Sequence, residues 1–479
     1  MTSDFTDAEL ETCLKVLRLA ASDPSRFDHA LEFKTLVAKV NRTARKQLRQ
    51  HSLEARHDHD SSVRDEILQR RVSAVISPVS LPTATASISV SPQPEASGSS
   101  LRLNRPRRCY ACKNLYQDCH AFYHLMCAQC GAFNFAKRQQ RSDLQGRVAL
   151  VTGGRIKIGF ELALKLLRDG ARVILTTRFP NDAFKRFALQ PDIADWQDRL
   201  ELHGLDLRHL PSVQAFIEGL KGREQRLDIL INNAAQTISR PTDFYRHLFE
   251  VEHQLLPKAN GVVRSPMQFF DQAAVRLSSA HSLSTEHSLP TAHNVSTTQS
   301  YFPEGIFDQD GQQLDARPVN SWLQRLGEID TRDLLEVQLV NAIAPFMLCS
   351  QLKPLLLKSP ASRRFVVNVS AMEGQFARAS KGVYHPHSNM AKAALNMLTR
   401  TSAADYARDG IFMNSVDTGW ITDENPLPKA QRLREHGFHT PLDQIDGAAR
   451  IYDPIAQGIN QTELPLFGHF LKDYEPYPW

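Results

Sequence analysis

Five of the chain's seven cysteines lie between Cys109 and Cys130, and four of them form two pairs, Cys109-x2-Cys112 and Cys127-x2-Cys130. Each pair brings two thiolates close enough to share one tetrahedral ion, and four thiolates close its coordination sphere. Structural zinc is the chemistry expected there. A disulfide framework would be spread through a short secreted chain rather than gathered in one stretch of a long one. With no open coordination position, the metal is expected to be architectural or to serve partner binding. Cys119, His120 and His124 lie between the pairs and could exchange as ligands, although histidines in such loops more often pack or face solvent.

A second chemical signal lies in GRVALVTGGRIKIGFELALKLLRDGARVILTTRF. Val148 to Thr152 read as a buried strand and Phe160 to Arg168 as a helix, with a glycine-containing turn between them. Such a unit points helix N-terminal amides at a ligand phosphate, where the helix dipole favours negative charge.

Thr152-Gly153-x3-Lys157-Ile158-Gly159 resembles the TGxxxGxG cofactor turn of the short-chain dehydrogenase/reductase family, with Lys157 at the middle glycine. Further marks follow in the family's order. Asp206-Leu207 resembles its adenine-side acid, and Asn232, Asn233 and Ala234 its NNAG strand end. Asn341 resembles the asparagine of the catalytic tetrad, and FVVNVSAMEG the strand that delivers the catalytic serine. FMNSVDTGWIT resembles the segment over the nicotinamide, with Thr418 in place of proline and Gly419, Ile421 and Thr422 as implied cofactor contacts. The resemblance spans about residues 145 to 475 and implies an α/β fold, a doubly wound parallel sheet of Rossmann type. It further implies a nicotinamide cofactor and a carbonyl or alcohol substrate.

The cofactor choice follows from charge. The second strand ends at Thr177, where NAD-preferring members carry an acid, and Arg178 comes next. A guanidinium beside the adenosine ribose suits a 2′-phosphate. Arg155 could supply a second positive contact, so NADP(H) is expected over NAD(H).

The resemblance places Lys392 as the lysine that holds the nicotinamide ribose, and that assignment leaves Ser388 at the position of the reactive tyrosine. The catalytic serine position falls on Ala371, with Ser370 one residue earlier and turned to the other side of the strand. Tyr384, His385 and His387 lie just ahead, and Tyr384 or a histidine could act as a relocated acid. Two readings stand: an NADP(H)-dependent oxidoreductase with a remodelled tetrad, or a catalytically silent NADP(H)-binding scaffold acting through protein partners.

The elements that must position these groups read in order. Residues 1–75 are a helical region, in which Leu10, Cys13, Leu14, Leu17 and Ala21 form one apolar stripe. Residues 76–102 are a polar, Ser/Pro-rich tether, 103–140 the four-cysteine ribbon, and 144–479 the α/β domain. An insertion at about 237–330 leaves from the strand ends where ligands bind, and is expected to cap the substrate pocket or present a partner surface. His281, His287 and His293 recur within it, more simply as chance histidines than as a metal site. AKAALNMLTRTSAADYA resembles the family's dimer helix, so a homodimer is expected.

At 479 residues, 42% hydrophobic and net charge +5, the chain can bury a sizeable core, and nucleic acid is not expected as its main partner. No uncharged apolar run approaches the roughly 18 residues of a membrane span, and the acidic start MTSDFTDAELETCLKVL is unlike a secretory signal. A cytoplasmic protein is the expectation.

Overall fold

The computed structural model describes residues 5–76, 101–253, 263–265, 301–308, 310–378 and 381–479. The tether read at 77–100 and the three histidines of the insertion lie outside them. The chain divides into two compact units, Met1–Ala128 and Gln129–Trp479, so the division falls inside the stretch read as the ribbon.

In the first unit, α1 (Asp7–Ser22) opens on a capping box between Thr6 and Glu9, which satisfies two otherwise orphaned amides. Its apolar stripe is left largely exposed among the described residues: no residue of α1 is buried, and Leu10, Leu14 and Leu17 stand 43%, 40% and 39% exposed. Helix α2 (Leu31–Ile76) runs 46 residues. Its later turns pack on the antiparallel pair β1 (Arg102–Arg108) and β2 (Leu115–Asp118). Val63 and Ile67 are buried, and the Asp60 carboxylate accepts the amides of Asn104 (2.6 Å) and Arg105 (3.2 Å).

The second unit begins with α3 (Ala128–Gln139) and continues as strand–helix repeats. The strands are β3 (Val148–Thr152), β4 (Arg172–Thr177), β5 (Leu200–Gly204), β6 (Ile229–Asn232), β7 (Val263–Ser265), β8 (Arg364–Ser370), β9 (Ile411–Asp417), β10 (Phe470–Lys472) and β11 (Glu475–Tyr477). They form one sheet in the order β7-β5-β4-β3-β6-β8-β9-β10-β11, parallel except for the β10–β11 pair. The expected doubly wound fold is therefore present.

Strands β3, β6 and β9 are buried at every position because helices cover both faces, as near-continuous apolar runs require. On one face lie α4 (Lys157–Arg168), α5 (Pro180–Ala188) and, from the far end of the chain, Gln444–Asn460. On the other lie α6 (Leu210–Arg223), Ala344–Leu357 and Pro386–Arg408. Each fully buried Leu or Ile in these layers contributes about 2 kcal/mol. Thr331–Leu357 together are long and apolar enough to cross a membrane by length and composition alone, yet 56% of that window is buried in the protein.

Strand order reverses between β4 and β6 on either side of β3, which opens a crevice at the strand carboxyl ends. The described part of the insertion lies at that end. It comprises 237–253 with α7 (Arg246–His253), strand β7, and 301–308 and 310–330, which lead into α8 (Thr331–Gln338). A π-turn (Leu339–Ile343) joins α8 to α9 (Ala344–Leu357). Beyond β8 come α10 (Pro386–Arg408), α11 (Leu427–Glu435) and α12 (Gln444–Asn460).

Candidate active site

The cofactor turn is built from close approaches. Gly153 has φ +70°, and a Cβ there would stand 2.8 Å from the Ala234 backbone. A Cβ at Gly159 would lie 2.2 Å from the Gly153 carbonyl oxygen, so α4 can cross the turn only with glycine there. The end of β6 is laced to the same turn. Thr152 Oγ1 accepts the amides of Asn233 and Ala234, each at 3.0 Å. Asn233 Nδ2 donates to the carbonyls of Thr152 (3.0 Å) and Gly153 (2.9 Å).

Lys157 stands in the left-handed region that favours glycine, with φ +56°, at a penalty of about 1–2 kcal/mol. Its ammonium points to Asp310 of the insertion at 3.7 Å. Ile156, the N-cap of α4, makes no side-chain cap, which leaves first-turn amides for a phosphate. Ile158 packs on the core beneath.

At the adenosine end, Arg178 follows β4 and places its guanidinium 4.4 Å from the ring centre of Tyr245, an insertion residue. Arg155 was expected to add a second positive contact, but its donors are committed to Asp182 (2.7 Å) and Gln312 (2.5 Å). The Asp206 carboxylate is held by Arg208 at 2.6 Å. Burial raises its pKa, but Arg208 and Arg178 outweigh that and leave it below the usual carboxylate value. Leu207 is buried beside it. At the nicotinamide end, Gly419 has φ +81°, Ile421 is buried, and Thr422 Oγ1 donates to Glu424 at 2.7 Å.

Lys392 is buried on α10, and its Nζ donates to the Val369 carbonyl at 2.8 Å. Burial pulls its pKa down to about 8, against a small opposing pull from Glu373. Ser388 lies one turn earlier on the same helix face and is also buried. The Ser370 hydroxyl is buried and has no hydrogen-bond partner among the described residues. Asn341 sits in the π-turn, a feature common at functional sites. Its Oδ1 accepts the Gln236 amide (2.8 Å) and its Nδ2 donates to the Gln236 carbonyl (2.9 Å).

Of the relocated-acid candidates, Tyr384 is 39% exposed, with its ring beside the Arg325 guanidinium. His385, at φ +44°, stacks on Trp322 with ring centres 3.9 Å apart and pairs Nδ1 with the Trp322 carbonyl at 2.9 Å. His387 is buried with neither ring nitrogen hydrogen-bonded, and burial followed by His385 lowers its pKa. A neutral imidazole results.

Sequence reasoning passed over Gln375 and Asn396. Gln375 is buried with both amide atoms unpartnered, while Asn396 Nδ2 donates to the Gly374 carbonyl at 3.2 Å. No spacing rule marks either one. It also passed over the insertion's seat. Through Tyr245, Asp310 and Gln312 the insertion meets the cofactor end, whereas Trp322 and Gln324 bind the segment ahead of α10. Insertion residues thus stand at both ends of the crevice.

The thiol sulphurs of Cys109, Cys112, Cys127 and Cys130 lie within 4.8 Å of one another. In a tetrahedral zinc–thiolate site, bonds of about 2.3 Å put sulphurs roughly 3.8 Å apart, so the donor set fits that ion. The Cys127 amide donates to the Cys109 sulphur at 3.4 Å. Cys119, His120 and His124 are not part of the group.

Residues 147–251 match the family profile described as short chain dehydrogenase, and residues 319–441 that described as enoyl-(acyl carrier protein) reductase. The chain is 32% identical over 367 residues to an uncharacterised protein of Acanthamoeba polyphaga mimivirus, covering 73% of this chain and 71% of the viral one. Human dehydrogenase/reductase SDR family member 13 is 37% identical over 112 residues, which cover 23% of this chain and only 29% of that relative. Among solved structures, the NADPH-bound carbonyl reductase from chicken fatty liver aligns at 19% identity and a TM-score of 0.41, covering 70% of this chain and 100% of that one. The two profile matches fall on the two halves of the sheet, one holding the glycine turn and the other the Lys392 helix. Both halves of the sheet thus match short-chain dehydrogenase/reductase profiles, over residues 147–251 and 319–441, and these matches support an NAD(P)-dependent oxidoreductase.

Proposed function

We propose that the protein is an NADP(H)-dependent oxidoreductase that interconverts a carbonyl and an alcohol with a remodelled proton donor. The observation that carries this reading is Lys392, a buried ammonium whose hydrogen-bond partner is a backbone carbonyl. A buried cation without a carboxylate partner is expensive to keep, which argues for use rather than packing. Arg178, with no acid at the end of β4, supports NADP(H) over NAD(H).

When bound, the nicotinamide supplies or takes up the hydride. The uncapped amides of α4 would receive the diphosphate, and Lys392 would hold the ribose. Ser370 and Ser388 are the hydroxyls available to a substrate oxygen, and Asn341 anchors the loop at Gln236. A donor working near neutral pH needs a pKa near that range. Lys392 at about 8 meets this condition, so we place the proton there. Tyr384 is the other candidate. The four cysteines are proposed to bind structural zinc. The exposed Met390 and Met397 of α10 mark the proposed homodimer surface.

The test is NADPH binding followed by cofactor fluorescence, then absorbance near 340 nm with a panel of aldehydes and ketones. With Lys392 as donor, Tyr384→Phe keeps kcat within about threefold of the parent. A drop of about 100-fold or more would move the proton to Tyr384. The second reading, a silent cofactor-binding scaffold, is favoured by Ser388 and Ala371 at the tyrosine and serine positions. Tight NADPH binding without turnover across the panel would select it. Absence of binding would end both readings.

A further inference from the structure

Arg178 forms no salt bridge among the described residues. Its guanidinium instead lies over the ring of Tyr245, 4.4 Å from the centroid. Tyr245 also stacks on Phe179, the residue after Arg178, at 5.6 Å. A short helical turn, Thr242–Tyr245, carries this ring, and Arg240 just ahead of it lies over Phe244 at 4.6 Å. Arg240 faces Asp315 at 3.4 Å, but the same carboxylate is held closer by Arg317, at 2.6 Å, and the buried Arg240 Nε makes no hydrogen bond.

The local charge is therefore out of balance. Asp206 is taken by Arg208, Asp315 is shared between two guanidiniums, and Arg178 acts on Asp206 without a salt bridge to any described carboxylate. Burial pushes the Tyr245 phenol up, yet Arg178, Arg240 and Arg208 outweigh it and leave its pKa below the ordinary value. All these groups meet where β4 and β5 end, the adenosine end of the crevice.

We infer that Tyr245 and Arg240 of the insertion complete, with Arg178, a receptor for the dianionic phosphate on the adenosine ribose of NADP(H), and so set the choice between the two nicotinamide cofactors. The inference rests on the NADP(H) reading and adds to it residues that only the insertion supplies. A phosphate dianion would neutralise Arg178 and the Arg240 guanidinium that shares Asp315 with Arg317 through charge-assisted hydrogen bonds, and the Tyr245 hydroxyl would add one more donor. NADH, with a plain ribose hydroxyl there, would leave that charge unbalanced.

Titrations of the full chain with NADPH and with NADH, read by cofactor fluorescence, test this. The parent is expected to bind NADPH about tenfold or more tighter than NADH. Arg240→Gln should weaken NADPH about tenfold, as loss of a charged hydrogen bond does, and leave NADH within about twofold, which also shows that the variant is folded. Tyr245→Phe keeps the ring on Arg178 and removes the hydroxyl, so NADPH should weaken roughly threefold with NADH unchanged. The exposed Arg246→Gln serves as control. If Arg178→Gln abolishes the preference while the Arg240 and Tyr245 variants affect both cofactors equally, or neither, the insertion has no part in the choice, although the NADP(H) reading stands. If the parent itself shows no preference, that reading fails first.

Discussion

Exchanging Lys392 for methionine is expected to remove turnover and, at the same time, to make the protein more stable near neutral pH. The two effects share one cause. The lysine is 5% exposed, and its pKa falls to about 8 from the model-peptide value of 10.5. Between those two pH values the unfolded chain holds a proton that the folded chain has lost, so the stability of the parent rises with pH across that window. Below about 8 the folded state carries the full penalty of a buried ammonium, on the order of 3 kcal/mol for a shift of this size. Methionine fills similar space without the charge. Urea unfolding should therefore show the variant ahead by on the order of 3 kcal/mol at pH 7, with the gap closing between pH 8 and 10.5. Reductase activity should drop by about 100-fold or more. A gap that does not change with pH would mean that Lys392 is not a buried cation.

The second large effect concerns the four cysteines. Protein purified without chelator is expected to carry one zinc per chain by metal analysis. Cys112→Ser, or treatment with a strong chelator, should release it. Structural zinc sites supply about 10 kcal/mol or more of apparent folding free energy at neutral pH, far more than a two-stranded pair of this size can provide alone. Proteolysis within 101–128 should consequently accelerate by well over tenfold once the metal is gone. Zinc content near zero, with the Cys112→Ser variant as resistant as the parent, would overturn the assignment.

What the sequence disclosed follows the range over which each signal acts. The glycine turn, the end of β4 and the Lys392 helix were legible because a strand, a tight turn and a helix start are local, and their spacing is set by the chain itself. Arg178 was found by counting from Gly170 to the end of the next strand. The same reasoning misjudged Arg155, whose partners Asp182 and Gln312 lie 27 and 157 residues away. No periodicity indicates which distant carboxylate reaches a guanidinium first. The stripe on α1 was legible as a pattern, but a pattern does not name the surface that covers it, and here it lies exposed. Gln375 and Asn396 could not be anticipated, since burial without a partner is a property of the packed site and not of residue order. Ser388 was legible as the residue one turn before Lys392, because helix spacing fixes that register.

The insertion grips the crevice at two places at once. Gln312 and Asp310 bond the cofactor turn, whereas Trp322 stacks on His385 just ahead of α10. A single covalent segment fastened at both ends would couple the traffic of the two ligands. Whatever loosens it to admit the dinucleotide also frees the approach to the reacting carbon, and whatever re-seats it encloses both ligands together. An enzyme built this way would admit and release both ligands through one shared clasp.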